Sequence, residues 1–340
     1  MKTETMLPAM RLIGWCKNIS QRCAAKFPDI FRASLLRALV KNCFVRAYTQ
    51  TYGWRLTEAG YRWLALHGYP MQPDQHMQRA KRRFDHAAVV TTMYAAGIDP
   101  FVASVQTYCE QGGYLPTFPL RSQTGQHTLG SNLVMGFLRV GDTLLATHYP
   151  RPESRVILQR DYECTQSMML RTGCTDMGYL FCGNSYADIY RALVGTGEKG
   201  KQNTYTGLFR ESRAAYLLPC DPNGAMQLQL MCLPDLRTSI ASILGKHTEE
   251  MTERGLPDCD AIDTHSGLPL RIMVDMELRR VPYAARQASA AGYQGLLLVG
   301  LESQRAFLEQ FFPPPFFVVV VIPDNILVLP KGDDSHAPSI

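Results

Sequence analysis

Between residues 28 and 66 the chain reads PDIFRASLLRALVKNCFVRAYTQTYGWRLTEAGYRWLAL, and this stretch leaves little freedom in local structure. Phe31, Leu35, Leu36, Leu39, Val40 and Cys43 recur at helical spacing and form one apolar stripe. Ala33, Ser34, Arg37 and Lys41 fall on the opposite arc. The pattern predicts a helix opening at Pro28-Asp29, with Asp29 as its cap. Val45 to Gln50 and Trp54 to Leu56 are β-branched and aromatic enough for two strands. Thr51-Tyr52-Gly53 is the expected turn between them, Gly53 being free to take a positive φ. Thr57 then caps a helix with Tyr61, Leu64 and Ala65 on its apolar side, and Gly60 lets that helix approach the hairpin.

The charge distribution reinforces this segment. The net charge of +5 conceals an asymmetry: residues 1–85 hold fifteen Lys and Arg against five Asp and Glu, and the remainder holds twenty against twenty-five. A first quarter at +10 on a body at −5 predicts a polyanionic partner for the first quarter alone.

The order helix, two-stranded hairpin, helix resembles a winged helix-turn-helix. Leu39-Val40-Lys41-Asn42-Cys43-Phe44-Val45 resembles the end of a recognition helix, and Trp54 to Leu64 resembles the second wing strand running into the closing helix. Asn42-Cys43 stands where the pattern usually has a basic residue and a glycine. The resemblance implies duplex DNA as the polyanion. Ser34, Arg37 and Lys41 become the groove-facing row, since an arginine holds guanine bidentately in the major groove. Arg32 lies on the apolar side by periodicity, yet at a helix start it can swing out to the backbone. Arg46, Tyr48, Gln50, Tyr52 and Arg55 are candidates for an adjacent groove, with cross-strand packing the alternative for the aromatics.

Residues 5–17 read as the first helix, and Ser20 as the cap of a short second helix, Gln21 to Phe27. Arg22 and Lys26 share a face of it and are candidates for phosphates, contacts that set register and salt-dependent affinity. A basic linker, residues 69–83, ends in Arg79, Lys81, Arg82 and Arg83, which could also lie along the DNA backbone. Residues 1–68 are thus the DNA-binding domain, 84–330 a mixed α/β domain for dimerisation or partner docking, and 331–340 a loose tail.

In the body, helices are predicted over Phe84 to Ala96 and Phe101 to Gln111, with a hairpin of Leu133 to Val140 and Thr143 to Tyr149 around Gly141-Asp142. Arg155 to Gln159 is expected as a further strand, Asp161 to Arg171 as a helix, Gly178 to Cys182 as a buried strand and Ser185 to Val194 as a capped helix. Residues 195–207 are expected as an exposed loop, and Ala214 to Leu233 as a hairpin turning at Asp221-Pro222-Asn223-Gly224. A helix follows from Pro234-Asp235. Strand and helix then alternate from Leu270 to Ile322, which predicts a mixed sheet covered by helices. The fold class is α+β, with a degenerate restriction-endonuclease-like body as one form it could take.

Ten cysteines without a Cys-x-x-Cys pair, and no apolar leader run, predict a reduced, cytoplasmic protein. The apolar run from Pro315 to Leu329 is too short to span a bilayer, so no membrane partner is expected. No cofactor or metal is expected. Asp275 and Glu277, read on one strand face with Asp263 shortly before, are the candidates for a Mg²⁺-dependent nuclease. Arg279 stands where such enzymes usually carry lysine, so catalysis is the lesser reading.

The basic first segment, the linker and the helix Arg82-Arg83-Phe84-Asp85-His86-Ala87-Ala88-Val89-Val90 together resemble the replication-relaxation family of bacterial plasmids and integrative conjugative elements. That resemblance implies a sequence-directed duplex-DNA-binding accessory or regulatory protein in replication, relaxation or transfer. A homodimer, and a relaxase or replication initiator as partner, are the expected associations. A ligand-responsive transcription regulator is the remaining alternative.

Overall fold

The computed structural model describes residues 3–48, 53–73, 80–122, 133–151, 158–194, 205–244, 251 and 254–325. The chain is α+β, built on three sheets. Helix α1 (Thr3–Cys16) leads into the two-residue strand β1 (Ile19–Ser20) and helix α2 (Gln21–Lys26). The Ser20 hydroxyl accepts from the Cys23 amide, so the expected cap forms. Helix α3 (Ala33–Lys41) follows, then strands β2 (Val45–Tyr48) and β3 (Gly53–Leu56), then helix α4 (Glu58–Leu66). β3 pairs antiparallel with both β2 and β1, in the order β1-β3-β2. Thr57 caps α4 by accepting from the Gly60 amide, and Gly60 abuts the Phe44 carbonyl oxygen so closely that a Cβ there would collide.

Two local expectations are corrected here. Helix α3 begins at Ala33, four residues after Asp29, and Arg32 occupies its N-cap without a side-chain bond. The reason is the turn before it: the Phe27 carbonyl accepts from the amides of both Ile30 and Phe31, which closes residues 27–31 as a separate turn. The apolar stripe is also narrower than expected. Phe31, Leu35, Leu36 and Leu39 are buried, whereas Val40 is 39% exposed and Cys43 is exposed.

Helix α5 (Ala80–Ala95) is the hub of the molecule. Ala87, Val89, Val90, Thr91, Thr92 and Met93 are all buried, so the helix is enclosed on nearly every side. It packs against α1, α2 and β1 on one side and against the second sheet and its covering helix on the other. Helix α6 (Val105–Gln111) precedes that sheet, whose strands are β4 (Tyr114–Pro116), β5 (Gly136–Val140), β6 (Thr143–His148), β7 (Asp176–Gly183) and β8 (Ala215–Pro219). β4, β5 and β6 form an antiparallel meander, and β6, β7 and β8 run parallel. The parallel connections carry helices α7 (Leu158–Thr172), α8 (Tyr186–Val194) and α9 (Tyr205–Glu211). Alternate residues of β6 and β7 are buried on opposite faces: Leu145, Leu180 and Cys182 join the core beneath α5, and Leu144, Ala146, Tyr179 and Phe181 join the core under the crossover helices.

Beyond β8 the structure departs from the expected hairpin. Asp221 caps helix α10 (Pro222–Met231), accepting from the Gly224 amide, with Pro222 at its first turn. Asp-Pro-Asn-Gly serves equally well as a turn or as a helix start, and the buried Ala225, Leu228 and Met231 favour the helix. The expected strand at Arg155 to Gln159 is likewise replaced, since Leu158 already opens α7; residues 155–157 lie outside the described residues. Of the expected loop at 195–207, residues 195–204 also lie outside them, while Tyr205 starts α9 and is buried.

Helix α11 (Leu236–Ile243) leads to the third sheet, formed by β9 (Ala261–Ile262), β10 (Pro269–Ile272), β11 (Leu296–Leu301) and β12 (Phe317–Ile322) in the order β12-β11-β10-β9. Helices α12 (Val281–Ala290) and α13 (Arg305–Phe311) connect its parallel strands. The last two sheets are joined through the segment that follows β10. Residues 276–278 lie along β8, with the Leu217 amide donating to the Met276 carbonyl at 3.2 Å and the Leu278 amide to that of Ala215 at 3.0 Å. The enclosed Gln227 side chain donates to the carbonyls of Leu217 and Asp275, both at 2.8 Å, which locks the junction.

Candidate nucleic-acid interface

Helix α3 has two faces of opposite character. Leu35, Leu36 and Leu39 anchor it in the core shared with α1, α5 and the second sheet. Arg32, Ser34, Arg37 and Lys41 are exposed along the other side. Arg46, on β2, is exposed as well. From Ile30 to Thr57 the chain holds five basic residues and no acidic one, so no carboxylate of the segment offsets this charge. Asn42 ends the helix, its side-chain amide donating to the Ala38 carbonyl at 2.8 Å. Cys43 then takes φ +59°, the left-handed conformation that favours glycine, at the position where the recognition-helix pattern usually has one.

The remaining candidates separate. Arg22 is exposed at the start of α2. Lys26 is half-buried and also has a partner within the fold: its ammonium donates to the carbonyls of Cys220 at 3.0 Å and Asn184 at 3.3 Å. Tyr48 and Arg55 are half-buried, with the Arg55 guanidinium 4.9 Å from the centre of the Tyr48 ring. Tyr48 therefore packs across the hairpin. Gln50, Tyr52 and Arg79 lie outside the described residues, as does the side chain of Lys81. Arg82 and Arg83 are half-buried at the start of α5.

The nuclease candidates are arranged differently from the expectation. β10 ends at Ile272, so Asp275 and Glu277 sit beyond the strand, on either side of Met276 with its φ of +55°. Asp275 accepts from the Arg237 guanidinium at 2.9 Å. Glu277, 2% exposed, pairs with Arg271 at 3.4 Å and accepts from the amides of Arg279 and Arg280 at 2.8 and 3.1 Å. Burial, and then the neighbouring Asp275 carboxylate, push the Glu277 carboxyl above its usual range. Asp260 is shared between Arg237 and Arg271. Asp263 accepts from the Ser266 amide and hydroxyl. Arginines thus occupy Asp275 and Glu277, two of the three carboxylates that were candidates for Mg²⁺. Among the described residues, no group of three or more His, Cys, Asp or Glu is placed to hold a metal. Sequence spacing brought the acids to notice but carried no sign of Arg237 or Arg271 as partners.

No helix among the described residues is long and apolar enough to cross a membrane. No protein-family model matches the chain, and neither the curated proteins nor the solved structures contain a significant match to it.

Proposed function

We propose that the chain is a sequence-directed duplex-DNA-binding protein of the winged-helix class. In this reading α3 is the recognition helix and β2–β3 the wing. The observation that carries it is the exposed row Arg32, Ser34, Arg37 and Lys41, free of acidic neighbours in its segment, on a helix whose opposite face is locked into the core. A rigidly held helix with an outward basic row suits insertion into a major groove. Its role as an accessory or regulatory protein of a mobile element, acting as a homodimer beside a relaxase or replication initiator, rests on the resemblance carried by residues 5–95.

The test is fluorescence anisotropy with a mixed-sequence duplex, followed by selection from a random library to define the site. Binding should weaken steeply between about 50 and 200 mM salt. Selection should return a motif of defined sequence. Salt-independent binding, or no binding at low salt, sinks the reading.

A further inference from the structure

The acidic balance of the body hides a local concentration of arginine. Arg210 and Arg213 flank the end of α9, and Arg279, Arg280 and Arg286 lie some seventy residues later, before and within α12. The structure brings these two segments together. The Arg279 guanidinium donates to the carbonyl of Arg210 at 2.8 Å and to that of Ser212 at 3.3 Å. Arg210, Arg213, Arg280 and Arg286 are exposed. The only carboxylates in residues 210–213 and 277–286 are Glu211, which is exposed, and Glu277, which is buried against Arg271.

Six other arginines of the body are neutralised. Arg139, Arg151, Arg191, Arg237, Arg271 and Arg305 each pair with a carboxylate. Among the described residues, Arg210, Arg213, Arg280 and Arg286 have no such partner. An aromatic ring sits among them: Tyr283 is 45% exposed, and the Arg286 guanidinium lies 4.7 Å from its centre.

We propose that this patch binds single-stranded DNA, its arginines following the phosphates and Tyr283 with Arg286 offering a stacking platform for an unpaired base. Unpartnered guanidiniums complement a polyphosphate, and an exposed ring flanked by arginine suits a base whose face is free. Duplex DNA hides its base faces and leaves Tyr283 without a partner. The patch shares no residue with α3, so the protein would hold a duplex by its first quarter and an adjacent opened strand by its body.

The test uses the full chain, fluorescein-labelled oligo(dT) and a duplex of mixed sequence, titrated across a salt series. Combined Arg213→Ala, Arg280→Ala and Arg286→Ala should weaken oligo(dT) binding at least tenfold. It should also reduce the salt slope by about two, since each single-strand phosphate contact contributes about 0.7. The same three positions changed to lysine should retain most of the affinity, which separates lost charge from lost fold. Tyr283→Leu should weaken binding several-fold, and Tyr283→Phe should not. The proposal is overturned if the triple alanine variant binds oligo(dT) as tightly as wild type. It is overturned too if oligo(dT) binding is lost only in an Arg37→Ala, Lys41→Ala variant, or if polyglutamate binds while oligo(dT) does not. Failure of duplex binding with oligo(dT) binding intact would count against the proposed function alone.

Discussion

The Lys26 ammonium donates to the Cys220 carbonyl at 3.0 Å, tying the short helix before α3 to the end of β8 in the second sheet. Replacing Lys26 with methionine should therefore lower stability by about 1.5–3 kcal/mol in urea unfolding, the usual worth of hydrogen bonds to a charged donor. The salt slope of duplex binding should stay unchanged. Arg37→Ala and Lys41→Ala should do the opposite, leaving stability within about 0.5 kcal/mol and lowering the slope by about 0.9 each. If Lys26→Met flattens the slope, Lys26 reaches a phosphate after all.

Cys43 is exposed and held at φ +59°. A side chain in that region costs about 1–2 kcal/mol relative to glycine. Cys43→Gly should raise the thermal midpoint, and Cys43→Val should lower it. Equal midpoints for the two variants would show that the strain is absent.

Gly60 lies against the Phe44 carbonyl oxygen. Gly60→Ala should cost about 1–3 kcal/mol by forcing α4 away from the hairpin, even though alanine favours helices. A neutral or stabilising effect in chemical denaturation would mean that the contact opens without cost.

His148 is fully buried among the rings of Tyr179, Phe181 and Tyr205, and neither ring nitrogen has a hydrogen-bond partner among the described residues. Burial, assisted by Arg82, lowers its pKa from 6.5 to about 3. The neutral ring is thus the folded form. Its contribution is complete above pH 6.5 and is lost as pH falls towards 3. His148→Phe should be at least as stable as wild type at pH 7 and should lose less stability between pH 6.5 and 4. Parallel loss in the two proteins, followed by urea midpoints, would show that His148 does not drive the acid limb.

Arg271 is 1% exposed and compensates both Glu277 and Asp260. Arg271→Ala should cost about 3–5 kcal/mol, because it leaves the buried Glu277 carboxylate without a counter-charge. Adding Glu277→Gln should recover part of that loss. A double-mutant cycle with no coupling energy would refute the pairing.

What the sequence determined by itself is local. Ser20 and Thr57 cap their helices, Gly60 meets the hairpin, and Leu35, Leu36 and Leu39 face inward, because each depends on residues within a turn or two. The Gly141-Asp142 turn that marked β5 and β6 as a pair is equally local, as is the positive φ that Gly141 takes there. Asp221-Pro222-Asn223-Gly224 was ambiguous for the same reason: turn and helix start share their chemistry, and packing against α5 and the second sheet decided for the helix. Only the tertiary structure decided where charges end. Asp275 and Glu277 resembled a metal site until Arg237 and Arg271 closed on them. Lys26 resembled a phosphate contact, and the fold hands its ammonium the Cys220 carbonyl as a partner. The arginines at 210–213 and 279–286 became one patch through contacts between distant segments. A side chain's charge is written in the sequence, but its partner is chosen by distances across the fold, and electrostatic energy depends on those distances.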